Sequence, residues 1–314
     1  MAGSPPELRL EVAGRLDLPR TLGPLRHSAA DPTIRFAGNV AWLTRRTDAG
    51  PATVRIAAQP VAEATPGSTT VVEAAAWGPG AGAALEAVPG LLGAFDRPEL
   101  LLAHHPLVRE LARRFAGFRM TRTGQLLPVL LPAALGQKIT ATEMIRGYLG
   151  LLRLLGDPAP GPEAAAGMLV VPDAERVAAL PYFELHAVGV ERRRADLVRR
   201  LAERAPSIER LMVLSASEAS ARLQTISGVG PWTAAEAVRL AFGDPDTVSV
   251  GDAHIPDMVA WALAGEPRAD DARMLEILEP YRGQRGRVVA LLEAGGIVAP
   301  RFGPRFAPGE IRRI

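Results

Sequence analysis

Cysteine is absent from the 314 residues, and lysine occurs once, at Lys138. The first absence excludes disulfides, thiolate metal sites, iron–sulfur clusters and a cysteine nucleophile. The second leaves Lys138 and the N-terminal amine as the sources of any amine-based covalent chemistry, because the other Lys+Arg positions are all arginine. Aromatic residues are sparse, at 5%. No apolar run approaches the roughly 18 residues of a membrane span. Residues 1–10 lack a basic stretch leading into an apolar one, so no signal peptide is expected. The net charge of +2 is too small to announce a nucleic-acid partner. What is present is 48% hydrophobic and 22% charged residues, enough for a sizeable core. The length corresponds to about two domains. A soluble, cytoplasmic protein is expected.

The pattern changes along the chain. Residues 1–92 carry short runs of strand formers at 8–12, 40–43, 54–57 and 69–73, separated by Gly, Pro and Asp. With helical turns at 22–26 and 83–88, they predict a small α+β domain with an antiparallel sheet. Residues 93–299 read as helical, with candidate helices at 99–104, 106–116, 127–135, 140–155, 173–180, 191–205, 207–214, 217–226, 231–242, 256–263, 269–278 and 284–293. Residues 158–167 read as a Pro/Ala/Gly linker and 300–314 as a basic tail. Arginines cluster at 109–122, 192–200 and 301–313. Each cluster is either a solvated face, consistent with GC-rich coding, or a stripe that contacts phosphate.

The most informative stretch is 223–234, within a predicted hairpin at 217–242. Ser215 and Glu218 form a capping-box pattern ahead of it. Gly228 and Gly230 allow a tight turn, and Pro231 suits the first position of a helix. Free N–H groups at that helix start, around Gly228, Val229, Gly230 and Thr233, would face the turn and suit a phosphate. An ordinary helical hairpin is the plainer reading.

This stretch resembles the hairpin of the helix-hairpin-helix DNA glycosylase superfamily. Val248 to Ile255 is similar to its Val-Asp-x-His-hydrophobic stretch, with Asp252 at the aspartate position. Leu135 to Lys138 resembles the minor-groove-probing loop, and Val188 to Ala195, which contains Arg194, resembles a further segment of the superfamily. The 3-methyladenine DNA glycosylase II branch, which also has an N-terminal α+β domain, is the most similar. The resemblance implies an α+β domain followed by a two-lobed helical fold with a cleft between the lobes. It implies a monomeric bacterial repair enzyme, nucleoid-associated, that flips a damaged base out of duplex DNA and hydrolyses its N-glycosidic bond. Asp252 would be the catalytic carboxylate, beside a sugar that becomes positive as the base leaves. Asp252 also suits a helix cap, and the two roles are compatible.

Trp232 stands where bifunctional members carry a lysine, which implies water as nucleophile and an abasic product. A lyase acting through Lys138 is the contrary case. Gln137 and Lys138 fall at the wedge, where the alkylpurine branch has an apolar side chain at the position of Lys138. Trp232, Glu236, Gln284 and Tyr281 are the candidate base pocket, with Trp232 equally suited to a core. Glu236, Ala253, Gln284 and Pro24 take positions where alkylpurine enzymes have aromatics, so a hydrogen-bonded base is expected. Tyr182 and Phe183 are further aromatic candidates. The resemblance also implies a structural monovalent cation, Na or K, on the backbone carbonyls of Gln224, Ile226 and Val229. No catalytic metal is expected. The alternative function is a non-catalytic helix-hairpin-helix protein that binds DNA and senses damage.

Overall fold

Strand propensity and alternation build the first layer. The computed structural model describes residues 5–59 and 68–300. An antiparallel five-stranded sheet has the order β1-β5-β4-β3-β2. Its strands are β1 (Glu7–Ala13), β2 (Ile34–Ala37), β3 (Val40–Thr47), β4 (Gly50–Ala58) and β5 (Thr69–Trp77). Val54, Ile56, Val72, Ala74 and Ala76 point to one face and are fully or nearly fully buried. They pack on α1 (Leu18–Leu22), α2 (Ala81–Glu86) and α3 (Val88–Leu91) through Leu22, Ala84, Val88 and Leu91. Each large apolar side chain buried this way contributes about 1.5–3 kcal/mol. β2 has no counterpart in the sequence reading, because its four residues are too few to show alternation.

The expected linker is instead a docked element. β6 (Asp157–Pro158) pairs with β7 (Leu169–Val170) and lies against the sheet. The Thr44 hydroxyl donates to the Leu169 carbonyl at 2.7 Å, Arg46 binds Asp157, and Gly161 abuts Trp77. Proline and glycine marked turns there, not a free tether.

The remaining chain is helical and divides into two cores. The first joins α5 (Leu127–Leu135), α6 (Ala141–Leu155), α7 (Ala174–Ala179), α8 (Tyr182–Ala187), α9 (Arg192–Glu203), α10 (Ala205–Glu209), α11 (Ala216–Leu223) and α12 (Pro231–Phe242). The second joins α4 (Pro106–Arg114) to α13 (Ile255–Ala264), α14 (Asp271–Leu278) and α15 (Arg285–Ala294). The chain therefore enters the second lobe, leaves to build the first, and returns after α12. Asp252 sits on that return crossing.

Three expectations are corrected. Residues 99–104 hold only a 3-10 turn at Pro98–Leu100, since His105 precedes Pro106 and is extended. Residues 207–214 split into α10 and a 3-10 turn at Arg210–Val213. α8 formed where no helix was expected. Both expected caps of the hairpin are present: the Ser215–Glu218 capping box opens α11, and Pro231 opens α12. No helix among the described residues is long and apolar enough to cross a membrane. The arginines expected in the basic tail, Arg301, Arg305, Arg312 and Arg313, lie outside the described residues.

Candidate active site

The hairpin turn is fixed by sterics. Gly228 has φ +96°, and a Cβ there would lie 3.1 Å from Leu197. Gly230 is extended and open, with nothing within 4 Å of where a Cβ would be. The first N–H of α12 to close on the turn is that of Ala234, which donates to the Gly230 carbonyl at 3.0 Å. The N–H groups of Trp232 and Thr233 are thus left at the helix start, beside the exposed turn, where the helix dipole favours an anion.

Asp252 lies at the entry to α13. Its Oδ1 accepts from the backbone N–H groups of His254 (2.8 Å) and Ile255 (3.0 Å). Its Oδ2 accepts from Trp232 Nε1 at 3.0 Å. Three N–H donors thus solvate one half-buried carboxylate, and the capping role coexists with partial access to water. The turn before it depends on Gly251, at φ +89°, whose N–H donates to Asp271. Trp232 reaches from Asp252 to the α5–α6 turn, where its ring edge lies against Gly136. It is a wall between the carboxylate and that turn.

At the α5–α6 turn the two wedge candidates separate. Gln137 Nε2 donates to the Gly228 carbonyl and to Thr233 Oγ1, both at 2.8 Å, so its carboxamide is spent on the hairpin. Lys138 is exposed and is the one non-glycine described residue with positive φ, at 55°. An L-residue held there costs about 1–2 kcal/mol. Thr233 is buried and its hydroxyl accepts from Gln137, so its side chain does not face outward at the hairpin. Arg194 is corrected most clearly. It is buried, donates to the Gln137 carbonyl and pairs with Glu191 at 3.0 Å, so it braces the turn and does not face outward.

The recess beside Asp252 is built mainly from residues the sequence did not assign to it. Glu236 receives Arg239 in a fork at 3.1 and 2.8 Å and the hydroxyl of the buried Ser249. Burial pushes the Glu236 carboxyl up, but Arg239, Ser249 and His27 outweigh it and hold it below the ordinary range. Arg239 is desolvated too, yet Glu236, Glu293 and Asp252 raise it further above its usual value. His27, from the sheet domain, packs edge-on against Tyr148 with ring centroids 4.9 Å apart. Burial lowers its pKa, Arg239 adds to this, and Asp31 and Glu236 oppose it. The Glu293 carboxyl is pushed up by burial and by Glu236 and Asp252, against the pull of Arg239.

These groups are surrounded by protein and still meet water. The side chains of Arg239 and Glu236 keep 27% and 21% of their exposure, and Glu293 is more exposed. Glu236, Arg239 and His27, charged or polar and half-buried, are the polar recess of this site. A cavity of about 90 Å³ between the sheet domain and the first lobe also has His27 in its wall. A larger one, about 240 Å³ and bounded by Phe95, Arg122 and Phe242, includes neither Asp252 nor the hairpin.

Two expected pocket residues lie behind the recess. Tyr281 is buried in the second lobe, and its hydroxyl accepts the His105 N–H at 3.0 Å. Gln284 is buried and accepts from Arg287 Nε at 2.6 Å, while Arg287 also pairs with the buried Asp96. Of the aromatic substitutes, Phe183 is exposed, and Tyr182 lies tilted against His186 on α8, with ring centroids 5.6 Å apart. The Glu236–Arg239 pair was visible as i,i+3 charges on one helix, and Ser249 fell inside the aspartate motif. His27 gave no local signal.

No hydrogen bond between backbone groups closes on the carbonyls of Gln224 or Val229 among the described residues, and Ile226 O receives only the Val229 N–H. These oxygens fit a monovalent cation as donors. Among the described residues no group of His, Asp and Glu side chains has the arrangement of a metal site.

No protein-family model matches the chain, and no curated protein does. Solved structures do. A 3-methyladenine DNA glycosylase from Archaeoglobus fulgidus matches with TM-score 0.73 and 20% identity, over 91% of this chain and 97% of that one. The protein called MBOgg1, solved with a low-affinity DNA ligand, matches with TM-score 0.69 and 15% identity over 94% and 98%. The Clostridium acetobutylicum 8-oxoguanine glycosylase/lyase matches with TM-score 0.66 and 12% identity over 92% and 98%. With the hairpin, the crossing aspartate and the flanking sheet domain in place, the chain has the fold of the helix-hairpin-helix DNA glycosylases.

Proposed function

We propose that this protein is a monofunctional DNA glycosylase of base excision repair, acting as a monomer on duplex DNA that carries a damaged base. The observation that carries this reading is Asp252, a half-buried carboxylate held by three N–H donors, one of them from Trp232 at the start of the hairpin's second helix. The N–H groups at the start of α12 grip a backbone phosphate next to the lesion. Lys138, on its strained turn, meets the duplex where the base has left, while Gln137 holds that turn to the hairpin. The extruded base enters the recess. As its bond to the sugar breaks, positive charge grows on the deoxyribose, and the fixed Asp252 carboxylate stabilises that charge more than the neutral ground state. Water completes the reaction and leaves an abasic site.

Trp232 supports the monofunctional form, because it occupies the lysine position and donates to Asp252. The carbonyls of Gln224, Ile226 and Val229 would hold a structural cation that neutralises phosphate charge at the turn. The recess supports a base read by polar contacts, with Glu236, Arg239 and His27 in place of aromatic faces. The test is incubation with duplexes carrying hypoxanthine, 1,N6-ethenoadenine, 3-methyladenine, 7-methylguanine or uracil, followed by alkaline cleavage. Strand scission only after alkali is the expected result. Binding without release from any duplex would support the damage-sensing alternative, and borohydride trapping that Lys138→Ala removes would support a lyase.

A further inference from the structure

The cavity of about 240 Å³ stands apart from Asp252. Its wall includes Ala216, the first residue of α11, and Phe242, the last of α12, so it lies at the end of the two hairpin helices opposite their turn. The 12 residues of α12 put about 18 Å between those ends. A duplex gripped at the turn therefore leaves the cavity to another ligand. Sites for drug-sized ligands run to about 300–1,000 Å³, so this one suits a single small ring system. Its charged walls divide into spent and unspent groups. Asp96 is taken by Arg287 and by the Met120 N–H. Asp244 accepts the Thr247 hydroxyl on Oδ2, while its Oδ1 meets only a long 3.5 Å contact from the Asp246 N–H. The Arg122 guanidinium has no hydrogen bond or ion pair among the described residues. It lies over the Phe95 ring, 5.0 Å from the centre, and Phe95 itself is 65% exposed.

We propose that this cavity binds a free purine base, stacked on the Phe95–Arg122 pair and read along its edge by the Arg122 guanidinium and the Asp244 carboxylate. Charge selects a neutral ligand. Arg122 and Asp244 oppose one another and Arg287 neutralises Asp96, so the walls hold no surplus of either sign for a phosphate, a carboxylate or an ammonium group. Chemistry then selects a heterocycle. An aliphatic or phenyl ligand would cover Arg122 and give its N–H donors no acceptor, which costs free energy. A 6-oxopurine satisfies all three groups: its π-face stacks, its O6 and N7 accept from the guanidinium, and its N1–H donates to the carboxylate. The bound base touches both the segment that leaves the sheet domain, at Phe95 and Arg122, and the start of the crossing at Gly243 to Pro245, whose far end carries Asp252. This site is separate from the recess and does not depend on the glycosylase reading.

Calorimetric titration of the full chain with hypoxanthine tests this, both for the protein alone and after saturation with a duplex carrying a tetrahydrofuran abasic-site analogue. The expected result is one site with a Kd of about 1 mM or below, kept when the duplex is bound. Phe95→Ala and Arg122→Met should each weaken hypoxanthine at least about tenfold, the scale of one base–aromatic stack or one bidentate base contact. Benzoate, which is flat but anionic and has no N–H, should bind at least about tenfold more weakly than hypoxanthine. No binding of hypoxanthine, binding that Phe95→Ala leaves intact, or displacement by the duplex would overturn the site. Benzoate binding as well as hypoxanthine would overturn the base as its ligand. If Arg122→Met does not fold, Phe95→Ala decides alone, since that side chain is largely exposed. Base release from lesion duplexes should be unchanged in Phe95→Ala, so this site and the glycosylase reading fail separately: loss of hypoxanthine binding touches only the first, and absence of base release only the second.

Discussion

The hairpin and the recess lie on either side of Trp232 and Asp252, yet they are made of different materials. The hairpin offers backbone N–H groups from one contiguous stretch, shaped by Gly228 and Pro231. Backbone donors take hold of phosphate whatever the base, so the hairpin supplies affinity without selection. The recess offers polar side chains brought together from the sheet domain, α12 and the crossing loop: His27, Glu236, Arg239 and Ser249. Its groups act on one another through charge: beside burial, Arg239 lowers the His27 pKa and Glu236 raises it. The recess therefore supplies selection and chemistry, while contributing little to general affinity.

Substitutions can sharpen or break this division. The largest effect is expected behind both regions. Asp96→Ala would leave the buried Arg287 without its partner and should cost about 3–5 kcal/mol in denaturant unfolding. Because Gln284 belongs to the same network, Gln284→Ala should also lower stability while leaving the order of preferred bases intact; a changed order would return it to the recess.

At the hairpin, Gly230→Asp places a good N-cap residue in open space, so stability should hold or rise slightly. Its carboxylate would meet the DNA phosphate, and affinity should fall about tenfold or more for damaged and undamaged duplexes alike, a change of about 1.4 kcal/mol. A loss confined to damaged duplexes would break the division.

In the recess, His27→Ala should alter relative release rates among bases by about fivefold to tenfold, corresponding to about 1–1.4 kcal/mol, with duplex affinity unchanged. Uniform slowing on every base would assign His27 to support alone.

The smallest effect is in pH dependence. Burial raises the Asp246 carboxyl, but Arg285 and the N–H groups of Arg285 and Gly283 lower it further, so its folded value is depressed. That stabilisation is present above the unfolded aspartate value of about 3.9 and is lost as pH falls through the folded value. Thermal unfolding followed below pH 4 should show a shallower decline for Asp246→Asn than for wild type.

The same division explains what was legible in the sequence. Four of the five sheet strands, most helices and both hairpin caps are local patterns, and each formed where alternation, glycine or proline indicated it, while Asp252 was singled out by resemblance. Gln284 was assigned to the pocket by position relative to other proteins and Tyr281 as an aromatic substitute, but their partners Arg287 and His105 draw them into the second lobe. Arg194 looked outward in a run of arginines, and helical phase turned it inward onto the Gln137 carbonyl. His27 comes near Glu236 and Arg239 only through tertiary packing, so no window of sequence could pair it with them. The proline-rich stretch docked because Thr44, Arg46 and Trp77 were waiting on the sheet, which its own composition could not reveal.

The most direct measurement compares wild type with Asp252→Asn for base release and for DNA affinity on the same lesion duplex. The substitution keeps size and leaves one oxygen for the His254 and Ile255 N–H groups, but it removes the charge and the acceptor that faces Trp232 Nε1. Release should fall by about 10²–10³-fold or more, the scale of losing one fixed electrostatic contact in a transition state, while affinity stays within about threefold. Release at the wild-type rate from Asp252→Asn would contradict the account.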